Sequence, residues 1–213
     1  MRPGLADGDD TITITATIIE RSEGSFDAAA DQDALTIDFG WVDAGSGVQT
    51  RGFAVYNLEI GTGPTAGLDL DSIAGSGDTT KLTTDLTIFT NLPAGTSRPA
   101  VASLATAAAG RFQATYTLHV SDRDLPGAIA GTDLVLTLKA KVGSPADFNF
   151  DGDVDGDDFT LLDNCFSNPN VSFDAGCEDR DLDADGDVDQ ADFAVFQRCY
   201  AGAGHAPPAH CAN

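Results

Sequence analysis

Apolar and polar residues alternate with a period of two along much of the first 142 positions. In TITITATII at 11–19, Ile12, Ile14, Ala16 and Ile18 fall on one face and threonines on the other, the pattern of a half-buried strand. The same alternation places Phe112, Ala114, Tyr116, Leu118 and Val120 inward at 111–120, and Leu134, Leu136, Leu138, Ala140 and Val142 inward at 133–142. Shorter strand candidates lie at 34–39, 51–58, 66–73, 85–90 and 99–105, separated by Gly, Pro, Asn and Asp clusters. Eight such segments with turn residues between them predict an antiparallel β-sandwich. Ala28–Ala30 and Ala105–Ala109 are too short and poorly capped to add a helix.

Beyond a short connector, Gly143-Ser144-Pro145-Ala146, the pattern changes. Pro145 removes a donor and biases Ser144 towards an extended form, so the joint should be semi-rigid. Two twelve-residue segments follow, DFNFDGDVDGDD at 147–158 and DLDADGDVDQAD at 181–192. Oxygen-bearing side chains stand at positions 1, 3, 5, 9 and 12: Asp147, Asn149, Asp151, Asp155 and Asp158 in the first, Asp181, Asp183, Asp185, Asp189 and Asp192 in the second. Position 6 is Gly152 or Gly186, and position 7, Asp153 or Asp187, can contribute its backbone carbonyl. Ca²⁺ takes 6–8 oxygen ligands on such a loop, and the sharp turn needs a residue tolerant of unusual backbone angles. The general EF-hand pattern ends in Glu, whereas both loops here end in Asp, one methylene shorter, which requires the following helix to sit closer.

The unit repeats. Asp147 and Asp181, Phe159 and Phe193, Leu162 and Phe196, Cys165 and Cys199, Phe166 and Tyr200, and Cys177 and Cys211 are each 34 residues apart. A disordered acidic tail does not keep apolar residues and cysteines in register. After each loop, Phe159, Leu162 and Phe166, then Phe193, Phe196 and Tyr200, recur at helical spacing. Each loop therefore feeds a short amphipathic helix, with Val154 and Val188 expected to pair the loops back to back. The four cysteines allow three pairings. Cys165 with Cys177 and Cys199 with Cys211 close the shortest loops and form the expected set, each worth on the order of 3 kcal/mol. A zinc site is a poor alternative: no pair has close spacing, and His205 and His210 sit in a Pro/Ala tail.

Charge narrows the classes. Residues 147–192 hold sixteen Asp and Glu against one Arg, a net −15 of the chain's −23, leaving −8 elsewhere. Two Ca²⁺ would offset four of those charges. Nucleic acid is excluded as a partner by the lack of a basic patch, and an anionic membrane surface is disfavoured likewise. No stretch approaches the roughly 18 apolar residues of a membrane span. MRPGLADGDD lacks a secretory segment, yet registered cysteines and calcium loops suit an extracellular setting. Met1 is therefore expected not to be the natural start, or the chain to be the C-terminal part of a longer secreted protein; a cytosolic protein is the alternative.

Residues 147–200 resemble a dockerin module, the duplicated calcium-loop-plus-helix unit that docks secreted proteins onto cohesin domains. Its loops end in Asp and lack an entering helix, as here, and the cysteines resemble dockerin-like tails of planctomycete-type bacterial proteins. Cohesin-binding members often carry a Ser-Thr type pair at positions 10 and 11, where this chain has Gly156-Asp157 and Gln190-Ala191. IDFGWVDAGSGVQTRGFAVYN at 37–57, LPAGTS at 92–97 and AGRFQATYTLHVSD at 109–122 resemble the immunoglobulin-like sandwiches of the ASPM/SPD-2/Hydin type. That resemblance implies that Phe39 and Trp41 anchor the core, that Gly40 and Gly45 serve turns, and that Phe53, Val55 and Phe112 join the core.

Catalytic signatures are missing. His119 falls on an outward strand face, Asp69, Asp71, Asp122 and Asp124 are scattered, and no nucleophile elbow, phosphate loop or HExxH helix occurs. The expected fold is mainly β: a tail at 1–10, an antiparallel Ig-like β-sandwich at 11–142, a linker at 143–146, and a small α-helical, duplicated EF-hand-like, dockerin-type module at 147–213. The expected function is non-catalytic: a monomeric secreted or cell-surface protein that binds two Ca²⁺ and docks a cohesin-like partner. Two alternatives are a calcium-stabilised surface domain without such a partner, and the tail of a larger secreted polysaccharide-degrading hydrolase.

Overall fold

The computed structural model describes residues 15, 17–59 and 61–211. Among the described residues, nine strands build two sheets. One contains β1 (Gly24–Ser25), β3 (Gln49–Asn57), β7 (Thr96–Leu104) and β5 (Leu82–Thr84) in the order β1-β3-β7-β5. The other contains β2 (Ala34–Val42), β9 (Leu134–Val142), β8 (Gly110–Asp122), β4 (Leu68–Gly77) and β6 (Phe89–Leu92) in the order β2-β9-β8-β4-β6. The inner faces meet over Val55, Leu68, Leu70, Leu82, Leu104, Leu118, Leu134, Leu136, Leu138 and Val142, all 0–1% exposed. Burying a leucine of this kind is worth about 1.5–3 kcal/mol. The alternation expected for β8 and β9 is observed along both strands, and Phe53 and Phe112 pack on the core half-buried.

Two buried polar side chains tie distant parts of this shell together. Asn57, fully buried, donates from Nδ2 to the carbonyls of Ala66 and Leu92 and accepts the Glu23 N–H at Oδ1. One side chain thereby pins three crossings of the chain. The Tyr116 hydroxyl donates to the Leu82 carbonyl at 2.7 Å, joining the two sheets.

Four details differ from the pattern reading. The sandwich is antiparallel except where β2 runs parallel to β9. In the stretch expected as a first strand, Ile12, Ile14 and Ala16 lie outside the described residues, and Ile18, assigned inward, is 87% exposed and in no strand. Alternation says which face a strand would bury, but not whether a sheet edge is open to receive it. Of the segment expected as a strand at 85–90, residues 85–88 connect β5 to β6 and only 89–90 lie in β6. Trp41 does not join Phe39 in the core. Between Asp38 and Trp41, β2 gains one residue relative to β9, with Gly40 at φ +70°, so Gly40 forms a bulge rather than a turn. A one-residue slip flips every later side chain: Val42 packs on the core and Trp41 points out beside Lys141.

The chain leaves β9 through a largely buried connector, with Ser144 and Ala146 inside, and enters two loop-plus-helix units. Helix α1 spans Gly156–Asp163 and α2 spans Gln190–Cys199. Both helices stack aromatic residues between them, with Phe159 at 5.6 Å from Phe193 and 6.1 Å from Phe196, centroid to centroid. Leu162 and Phe196 are buried as expected, while Phe166 lies past the end of α1.

Replacing Leu136 by Ala should lower the unfolding free energy of the sandwich by about 2–5 kcal/mol. Ile18→Ala should change it by less than about 0.5 kcal/mol. Denaturant unfolding at fixed calcium measures both; equal losses would restore Ile18 to the core.

Candidate metal centre

Each loop is shaped by its last carboxylate. Asp158, fully buried, accepts the Phe148 and Asn149 N–H groups at Oδ1 (2.7 and 3.2 Å) and the Asp155 N–H at Oδ2 (3.0 Å). Asp192 does the same for Leu182, Asp183 and Asp189. Asp155 and Asp189 return the contact as helix N-caps, completing capping boxes that start α1 and α2. The first carboxylates, Asp147 and Asp181, accept the N–H of Gly152 and Gly186 at 3.1 Å. Those glycines take φ of +100° and +98°, which a side chain would resist.

These constraints gather like charges. Asp147, Asp151 and Asp158 present carboxylate oxygens within 4.8 Å of one another, as do Asp181, Asp183 and Asp192. Asn149 accepts the Asp151 N–H and donates to the Asp151 carboxylate, while Asp185 accepts the Asp187 N–H. Asp147 Oδ1 is buried without a hydrogen-bond partner. A donor set made only of oxygens, with an orphaned buried carboxylate oxygen, suits a hard divalent cation such as Ca²⁺.

Burial pushes Asp147 up to about 6. It also raises Asp158, against the pull of three backbone N–H bonds. Asp183 and Asp187 are raised too, by desolvation first and neighbouring carboxylates second.

The position-7 side chains have a second role that the loop pattern did not reveal. Asp153 Oδ2 accepts the Gly204 N–H, and Asp187 Oδ2 accepts the Asn170 N–H. Gly204 and Asn170 are themselves 34 residues apart. Each carboxylate therefore braces the segment that follows the other loop's helix, although Asp153 and Asp187 also lie within 4.8 Å of the Asp155–Asp158 and Asp189–Asp192 oxygens. The valines exchange in the same way. The Val154 carbonyl accepts from Ala201 and Gly202, and the Val188 carbonyl accepts from Ser167. Their side chains share one buried cluster, which brings the two loops together at these valines, while their carbonyls take part in the crossed exchange.

The cysteines pair within each copy, Cys165 with Cys177 and Cys199 with Cys211, at Cα separations of 5.6 and 5.0 Å. Among the catalytic candidates, His119 Nδ1 lies 2.9 Å from Asp133 on the surface. Asp69 accepts the Asn91 N–H and Asp122 accepts from Ser22. The acidic clusters of the described residues include none of Asp69, Asp71, Asp122 and Asp124.

Residues 145–199 match the family model of the dockerin type I domain. A search of curated proteins finds no match. Among solved structures, the chain is similar to the VesB protease of Vibrio cholerae, with 13% identity, a TM-score of 0.33, and 50% of this chain and 30% of that one covered. It is also similar to the ASH/PapD-like domain 7 of human CEP192, with 9% identity, a TM-score of 0.38, and 66% and 97% covered. A family 123 glycoside hydrolase from Clostridium perfringens shares 5% identity at a TM-score of 0.34, over 54% and 23%. The chain thus spans about a third or less of the two enzymes, and at these scores neither bears on activity.

The raised Asp147 carboxyl gives a pH signature. Without metal, the folded chain keeps this proton between the ordinary value of 3.8 and about 6, where the unfolded chain has lost it. The folded state then binds more protons, so stability falls as pH rises through that window. A bound cation needs the ionised form and reverses the slope. Thermal melts of the helix signal should give a more stable module at pH 5 than at pH 7 in chelator, and the opposite order in millimolar calcium. The same order in both conditions would contradict it.

Proposed function

We propose that this chain is a non-catalytic docking protein whose residues 147–213 form a metal-folded module carried by the sandwich of residues 11–142, with residues 1–10 as a tail and residues 143–146 as the linker. The observation that carries this reading is the pair of acidic clusters built on Asp158 and Asp192. One Ca²⁺ would be held by Asp147, Asn149, Asp151, Asp155, Asp158 and the Asp153 carbonyl. A second would be held by Asp181, Asp183, Asp185, Asp189, Asp192 and the Asp187 carbonyl. Each ion removes repulsion among the loop aspartates and fixes the loop ahead of its helix, so ion binding and folding share one free energy. The partner presented with the helix face is a cohesin-like domain, and the setting is secreted or cell-surface. The ASPM/SPD-2/Hydin-type and planctomycete-type likenesses belong to this same reading.

A second reading keeps the calcium and drops the cohesin. It is favoured by Gly156-Asp157 and Gln190-Ala191 in place of a Ser-Thr type pair. The module is then a calcium-stabilised surface domain.

Calorimetric titration of Ca²⁺ into chelator-treated, oxidised protein should find two sites with a gain of helix. Asp151→Ala and Asp185→Ala, both at exposed positions, should each remove one. Two ions surviving either change would end the proposal. Pull-down of cohesin domains, abolished by chelator, separates the first reading from the second.

A further inference from the structure

Position 4 of the two loops poses a question. Phe150 and Ala184 both take left-handed backbone, with φ of +61° and +63°. The loop demands this conformation in both copies, and exposed Ala184 meets it with a methyl group. A phenylalanine is a costly choice there, so its ring must be used elsewhere.

Its partners lie on the sandwich. The Phe150 ring stacks on Trp41 at 5.8 Å with planes 7° apart, and the Arg111 guanidinium sits 4.9 Å from its centroid. Lys141 Nζ lies 5.2 Å from the Trp41 ring. Trp41, Lys141 and Arg111 are register neighbours across β2, β9 and β8. They form one row on the outer face of the sheet, which exists because the Gly40 bulge turned Trp41 outward. Arg111 and Lys141 both pair with Asp179, just before the second loop. The tail adds His210 against Asp43 at 3.0 Å and Ser144 Oγ near Cys211 Sγ at 3.5 Å. Among the described residues, no aromatic or cation–π contact is made at the corresponding position of the second loop, where Ala184 is exposed.

We infer that the outer row Trp41–Lys141–Arg111 is a built-in docking surface for the first calcium loop, which joins the first ion site to the sandwich through a ring inside that loop, whereas the second loop is approached at Asp179, ahead of its first carboxylate. This rests on the calcium reading above. Phe150 stands between the ligands Asn149 and Asp151, so ordering that loop aims its ring. Holding the ring favours the loop in return, as linkage requires. The two ion sites are therefore unequal, and the module is seated on the sandwich with the filling of one of them.

Trp41 is the chain's only tryptophan, so its fluorescence reports the junction directly. In the oxidised 213-residue chain, Trp41 emission should change with the filling of one of two calorimetric sites. Asp151→Ala should abolish that change and Asp185→Ala should keep it. Phe150→Ala, which makes position 4 of the first loop match that of the second, should keep two ions, silence Trp41 and weaken one site by roughly tenfold. Arg111→Gln, which takes the guanidinium from the Phe150 ring and leaves Lys141 on Asp179, should weaken the same site with no loop residue altered. Two ions bound by the unsubstituted protein with a silent Trp41, or unchanged affinities in both Phe150→Ala and Arg111→Gln, would overturn the clamp alone. No calcium binding at all would overturn the loop reading and the clamp with it.

Discussion

A buried carboxylate at the end of each loop is the constraint on which the lower half of the chain depends. Asp158 accepts three backbone N–H groups, starts α1 through its capping box, folds back the first residues of its loop and stands in the acidic cluster. Asp192 repeats this for α2. A buried anion with several donors is tolerated; the same anion beside two more carboxylates is relieved when one of them takes a proton or a cation joins them. The shorter Asp is consistent with that crowding, because its carboxylate reaches the N–H of its own N-cap residue from the third helical position.

With little apolar interior, this half of the chain has other means of staying together. The position-7 carboxylates and the valine carbonyls each bond the segment after the other copy's helix. Each disulfide anchors the end of such a segment to its own helix. Neither copy is complete alone, since each supplies acceptors for donors of its twin.

The readable features were those whose chemistry lies along the chain. The glycine at position 6, cysteine pairing and the alternation of β8 and β9 are local patterns, and the structure has all of them in place. What escaped depends on partners far apart in sequence. The parallel contact of β2 with β9, the crossed acceptors of Asp153 and Asp187, and the outward turn of Trp41 after one extra residue belong to this class. Phe150 left a trace in the sequence, as the one bulky residue at a position where its twin is alanine. Its meaning required Trp41 across the junction.

Strand β9 ends at Val142, one residue before the connector, and is held along its whole length by β2 on one side and β8 on the other. Any pull exerted through a partner on the helices enters the sandwich along this strand. The load then falls on two ladders in shear, where many hydrogen bonds must give together, rather than on an edge that could peel one bond at a time. The joint is thus made to an interior strand of the five-stranded sheet and not to one of its open edges.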